Sequence, residues 1–356
     1  MRQAGYLADI LCAKENISRH SSFLGQWIDA GNSIDCLINT LIDLERSAKY
    51  DYILIGEDPL LWHIAMQPVN ELTHLLPVHP PHTRSILEKI HFAPLCKSIG
   101  ICTPEFFVIQ SLDDVQAAIH RLGFPLITKV NYSFAGKGVR VFDDQAALMS
   151  YIGTYPFAQP LLAQRYIKSE VISVEALFCK GRLLEYICSE AIDIGLGPST
   201  KRRYMPRITE VGVMLERLGK TTELHGFFNV TLLREIASGK LFLIEADPRP
   251  NKWFAYAHWF GANFAYAFRL FMSKDELADA PFLNRAAEAA VTHWDMQHFD
   301  SHYLKLLHTG QTLESINHLL DFDTTLRYCL HDPALLREKT LRIRKHCGFL
   351  TGGADL

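Results

Sequence analysis

The chain has 356 residues, 48% of them hydrophobic and 21% charged, with a formal net charge of -3. That length holds two or three domains of ordinary soluble composition. The small charge excludes a general electrostatic pull toward nucleic acid or an anionic membrane. The eight cysteines, at 12, 36, 96, 102, 179, 188, 329 and 347, form no C-x-x-C pair. This argues against a zinc knuckle or a disulfide framework and fits the reduced thiols of a cytoplasmic enzyme.

In chain order, the first residues, MRQAGYLADILCAKEN, lack the apolar core of a signal peptide. YLADILCA, the helically spaced LINTLIDLERSAKY and the strand-like YDYILIGED at 50–58 predict a small open α/β domain over residues 1–84. QPVNELTHLLPVHPPHTR follows as a connector, its histidines scattered among prolines without metal-ligand spacing. From Ser85 the pattern predicts a helix (SILEKIHFAPLCKSIG), a strand (EFFVI) and a helix capped by Ser111 and stopped by Gly123 and Pro125. PLITKV and GVRVF read as strands around a glycine-containing loop, with a helix from about Asp143 to Ile152. LLAQRYI, VISVEALF, RLLEYICSE, FNVTLLREI and KLFLIEA read as further strands. The aromatic stretch 253–272 is interrupted by His258, Asn263 and Arg269, which predicts a helix packed in a large domain and no membrane span. Residues 276–356 read as a mostly helical region without a chemical motif.

Three stretches carry candidate chemistry. In LFLIEADPRPNKW, strand alternation places Glu245 and Asp247 on one face and Ala246 on the other, before Pro248 ends the ladder. Two adjacent like charges repel unless a cation lies between them or one is protonated. The pair therefore reads either as a divalent-metal clamp or as a strand end turning into solvent. In FPLITKVNYSFAGKGVRVF, Lys129 ends a strand, and Gly136 and Gly138 let backbone N–H groups approach an anion. The spacing fits neither a P-loop nor a kinase glycine loop, which leaves a hairpin flap over phosphates or a plain surface hairpin. The cluster Lys201, Arg202, Arg203 and Arg207 reads either as an anion contact or as a solvated loop.

The order of these pieces, from the helix lysine Lys89 through Lys129 and its flap and AQRYIKSEVISVEALF to the carboxylate pair with Arg249, resembles the ATP-grasp superfamily over about residues 85–275. The resemblance implies an α/β (α+β) ATP-grasp fold with a short N-terminal α/β domain at 1–84, a two-part nucleotide-gripping domain at 85–275 and a helical tail at 276–356. It implies that Lys89 and Lys129 contact ATP phosphates and that Ser133, Gly136, Lys137 and Gly138 belong to the flap. Gln164, Arg165, Tyr166 and Ile167 match the strand whose backbone bonds adenine, and Glu170 matches the acid that takes the ribose hydroxyls. Glu245 and Asp247 match the metal pair, with Asp247 at a position usually held by Asn. Thr231, flanked by Asn229, falls where an acid or Gln is common, and Arg249 matches the catalytic arginine. The N-terminal domain reads as short, without the first strand and helix common in the family, as expected of either a trimmed fold or a chain that begins downstream of the true start.

The implied activity is a cytoplasmic ligase using ATP and Mg²⁺, with Mn²⁺ as a substitute. It joins a small-molecule carboxylate to an amine through an acyl phosphate, releasing ADP and phosphate. A small-molecule kinase and a nucleotide-binding module with little catalysis are the alternatives. A homodimer is the default assembly.

Overall fold

Alternation along one long strand decides most of the architecture. In residues 169–179 the even positions Ile172, Val174 and Ala176 enter an apolar core, while Ser173 and Glu175 turn to the other face. The structure is a computed structural model that describes residues 4–67, 70–133, 136–192, 199, 201–273, 294–297, 334, 337, 338 and 341. The chain divides into two units, Met1–Asp51 with Gln297–Leu356, and Tyr52–Met296. Most of the helical region expected at 276–356 lies outside the described residues.

In the first unit, β1 (Ile10–Cys12) pairs in parallel with β2 (Trp27–Asp29), and Ser33 caps α1 (Ile34–Arg46) by accepting from the Cys36 N–H. The strand expected at 50–58 is absent. Residues 52–57 have no ladder partner among the described residues, and Asp58 with Pro59 opens α2 (Asp58–Met66). Residues 52–84, grouped above with the N-terminal domain, belong to the second unit.

In that unit the helix expected from Ser85 is split. α3 (Thr83–Leu87) ends at the extended, buried Glu88, and α4 (Lys89–Ser98) starts beside it. β3 (Phe106–Ile109) follows. Ser111 does not cap the next helix, α5 (Asp114–Leu122). Asp114 instead accepts from the Gln110 and Ser111 N–H groups at 2.8 and 3.0 Å, which tightens the turn and delays the helix. Gly123 ends it at φ 66°. β4 (Leu126–Val130), β5 (Val139–Phe142), α6 (Gln145–Ile152) and β6 (Leu161–Arg165) complete a four-stranded sheet of order β3-β6-β4-β5. α5 and α6 cover one face through Val115, Leu122, Leu148 and Ile152 against Leu126 and Leu161. Each such side chain contributes roughly 1.5–3 kcal/mol of burial.

A second sheet holds β7 (Ser169–Cys179), β8 (Arg182–Ala191), β9 (Lys201–Met205), β10 (Gly226–Glu235) and β11 (Leu241–Asp247), in the order β11-β10-β7-β8-β9. Short β12 (Trp294–Gln297) lies beside β9. α4 and α7 (Thr209–Thr222) pack on one face through Phe92, Cys96, Leu215 and Leu218. The stretch expected as one helix at 253–272 is broken at Gly261, φ 88°, into a 3₁₀ segment, Lys252–Phe260, and α8 (Phe264–Met272). Trp253, Ala257 and Phe260 cover part of the sheet's other face at Ile187 and Tyr204. Among the described residues no helix is long and apolar enough to cross a membrane.

Candidate functional site

On β11 the expected alternation holds at the carboxylate pair. Ala246 is 3% exposed and faces Val230 in the core, while Glu245 lies opposite Thr231 and Asp247 opposite Asn229. Leu243 pairs with Leu232, so Ile244 is an extra residue, a bulge that re-aims the strand just before the acids. The rows continue across the sheet from Thr231 to Ser173 and from Asn229 to Glu175. The polar face is thus written into consecutive strands.

The like-charge problem falls on Asp247. Burial first, and the Glu245 charge second, push the Asp247 carboxyl well above the usual carboxylate range, against the downward pull of Arg249. Arg249 follows directly, its N–H bonding the Asp247 carbonyl at 2.8 Å. Its guanidinium forks onto Asp58 of α2 through Nε and Nη2, the latter at 2.6 Å, and stands 3.7 Å from Asp247.

Lys129, the penultimate residue of β4, lies on the face opposite that sheet's core, opposite Leu162 and Val139, and is 6% exposed. Burial pulls its ammonium down to about 8; Glu245 opposes this and Lys89 adds to it. Lys89, the first residue of α4, donates to the Ser133 carbonyl at 3.0 Å. Gly136 and Gly138 close the turn at φ 73° and 78°, and a Cβ on Gly138 would come within 2.7 Å of Val130. Lys137 is exposed on this turn. One cavity is lined by Asp58, Trp62, Lys89, Tyr132 and Ser133 together with the 244–249 segment.

The other expected residues are placed differently. Gln164 is 1% exposed on the same sheet face as Lys129, and its Oε1 has no hydrogen-bond partner among the described residues. The Arg165 and Tyr166 N–H groups are taken by the Glu105 and Pro125 carbonyls, and the Ile167 carbonyl accepts from the Ser169 hydroxyl. Glu170 pairs with Arg234 at 2.6 Å on the Ile172 and Val174 face, so the structure does not bring it to the Glu245 face. Two arginines of the 201–207 cluster are committed to buried acids. Lys201–Met205 is a strand, Arg202 pairs with buried Glu175 at 2.8 Å, and Arg207 pairs with buried Glu185. Asn229 and Asn251 also bond Glu175. Glu175→Ala is expected to destabilise the fold by about 3–5 kcal/mol, since it strips a largely buried arginine of its carboxylate. Denaturant unfolding checks this, and a loss below about 1 kcal/mol would overturn it.

Sequence reasoning missed Asp58, Trp62 and Tyr132. Trp62 stacks on Tyr132 with ring centroids 3.9 Å apart and planes at 19°. The available signal was an Asp and a Trp four residues apart behind a proline start, which puts both on one helix face. Among the described residues no three His, Cys, Asp or Glu side chains gather to hold a metal. Two carboxylates with the Thr231 hydroxyl opposite are a partial set, which suits Mg²⁺ because that ion is shared with substrate phosphates.

No family model matches the chain. The carbamoyl phosphate synthase large chain of Micrococcus luteus is 22% identical over 268 residues, covering 71% of this chain and 24% of that one. The chain thus spans about a quarter of the length of the curated relatives it matches. Among solved structures, N5-carboxyaminoimidazole synthetase from Staphylococcus aureus, complexed with ADP, aligns with a TM-score of 0.57 at 18% identity, covering 72% of this chain and 69% of that one. The biotin carboxylase domain dimer of Hydrogenobacter thermophilus 2-oxoglutarate carboxylase, in complex with MgADP, ADP and bicarbonate, aligns with a TM-score of 0.64 at 13% identity, covering 80% and 68%.

Proposed function

Because the chain has the ATP-grasp fold and is a member of that superfamily, we propose that it is an ATP- and Mg²⁺-dependent ligase that joins a small carboxylate to an amine. The carboxylate oxygen attacks the γ-phosphorus of ATP, the bond to the β-phosphate bridging oxygen breaks, and ADP leaves. The amine then attacks the acyl carbon, phosphate departs with the bond electrons, and the nitrogen gives up a proton to solvent.

One observation carries this reading: Lys89, Ser133, Glu245, Asp247 and Arg249 line a single cavity, and Lys129 lies within electrostatic reach of Glu245 and Lys89. Lysine ammoniums beside a carboxylate pair suit a bound triphosphate better than an empty site, where the charges burden one another. Lys89 and Lys129 neutralise phosphate oxygens, and Arg249 steadies the transferring group. Glu245 and Asp247, with Thr231, would hold Mg²⁺, which supplies charge neutralisation at the phosphates. Gln164, with its unmatched Oε1, offers an acceptor to an amino group such as that of adenine.

Bicarbonate is the first carboxylate to test, because it is bound in the biotin carboxylase neighbour. The chain is incubated with ATP, Mg²⁺ and bicarbonate, or with other small carboxylates and hydroxylamine as the amine. ADP release that requires the carboxylate, with hydroxamate formed from the organic acids, is the expected result. A stable phosphorylated product formed without an amine replaces the ligase with a kinase. Nucleotide binding without turnover on any member of the panel reduces the protein to a binding module.

A further inference from the structure

Arg249 does not meet the cavity as a free cation. Two of its three guanidinium nitrogens, Nε and Nη2, are committed to the two oxygens of Asp58, which lies 191 residues away in sequence. Nη1 has no protein partner among the described residues. The side chains of Arg249 and Asp58 are 21% and 23% exposed, and both line the cavity that holds Glu245 and Asp247.

Asp58 is the first residue of α2, where the helix dipole favours its negative charge. One turn on, Trp62 lines the same cavity and stacks on Tyr132, which holds the helix at that wall. Nη2 also stands in a looser ion pair with Asp247, at 3.7 Å against 2.6 Å to Asp58. An arginine that collapsed onto Asp247 would occupy a carboxylate needed for a cation and would turn its donors away from the cavity. A flexible arginine stem does not choose between two such acids by itself. A fixed carboxylate on the far side does.

We propose that Asp58 is a positioning residue: by forking onto Nε and Nη2 it holds Arg249 off Asp247 and presents Nη1 to the phosphoryl group transferred from ATP. This rests on the nucleotide reading above and adds α2 to the machinery of the site.

The test uses MgADP with and without aluminium fluoride, a mimic of the transferring phosphoryl group, so the acceptor need not be known. Calorimetry compares the native chain, Asp58→Asn, Arg249→Met and the double variant. In the native chain aluminium fluoride is expected to tighten MgADP binding by about tenfold or more, the scale of a charge-assisted contact. Asp58→Asn should lose most of that enhancement, read within the variant as the ratio of MgADP affinities with and without aluminium fluoride. The double variant should match Arg249→Met, because two residues acting through one contact are not additive. Asp58→Glu, which keeps the charge on a longer stem, should retain part of the enhancement and serves if Asp58→Asn does not fold.

Full enhancement in Asp58→Asn, additive losses in the double variant, or no enhancement in a native chain that binds MgADP would each overturn the inference. A native chain that does not bind MgADP refutes the nucleotide reading itself and takes this inference with it.

Discussion

Lys129→Met is expected to make the protein more stable at neutral pH while removing its use of ATP. Lys129 is 6% exposed, and its ammonium is pulled down to about 8 from 10.5 mainly by burial. Its folded pKa lies below its unfolded one, so between those values the unfolded chain holds more protons. Native stability therefore rises with pH across that window. Below about 8 the lysine is charged in both states, and its burial costs on the order of 3 kcal/mol. Methionine is also long and unbranched, fills the same space and carries no charge. The gain should be full at pH 7 and vanish near pH 10.5, which paired denaturant titrations at the two ends can read. Nucleotide affinity should fall by about tenfold or more, and turnover by about a thousandfold, the scale of a lost charge-stabilising donor. A variant less stable at pH 7, or one whose advantage does not change with pH, would show that Lys129 is not a charge held ready for phosphate.

The local structure around the candidate site that was legible in the sequence is where strand pattern and short-range turn chemistry coincide. Glu245, Ala246 and Asp247 obey strand alternation, and the β4–β5 hairpin with Gly136 and Gly138 is a short-range feature. The misreadings have long-range causes. YDYILIGED has the composition of a strand, but a strand exists only with a ladder partner, and sequence does not say that β1 pairs with β2 alone. The arginines at 202 and 207 look like a wet cluster because nothing nearby in sequence announces Glu175 and Glu185, 27 and 22 residues upstream. Asp58 is separated from Arg249 by most of the domain, so its role is visible only when α2 and the end of β11 meet at one cavity wall. Glu170 is the reverse case. It stands at the expected place in the motif, but its parity along β7 sends it to the Ile172 face and to Arg234.

Glu245→Gln is expected to uncouple magnesium from the nucleotide, leaving MgADP bound no more tightly than ADP alone. In the native chain the neighbouring Glu245 charge is the second contributor, after burial, that lifts the Asp247 carboxyl above its ordinary range. A raised carboxyl holds its proton in the folded state after the unfolded chain has released it. Stability at this site therefore falls as pH rises from the ordinary carboxylate value toward the folded one. A divalent cation reverses that balance, because carboxylate ligands must be deprotonated, so Mg²⁺ entry expels the proton. Calorimetry in buffers of different ionisation enthalpy should detect proton release with MgADP in the native chain at mildly acidic pH, and none in Glu245→Gln. The variant should also be more stable than the native chain without metal, with a flatter pH dependence, while its turnover falls by about a hundredfold or more. Together with Lys129→Met this makes a paired signature: one cation and one anion, each removed with a gain in stability and a loss of function, as in sites that hold charge for a ligand rather than for the fold. Should Glu245→Gln bind MgADP as tightly as the native chain and with the same proton release, the carboxylate pair is not the cation site, and the metal must be sought elsewhere on the polar face of the sheet.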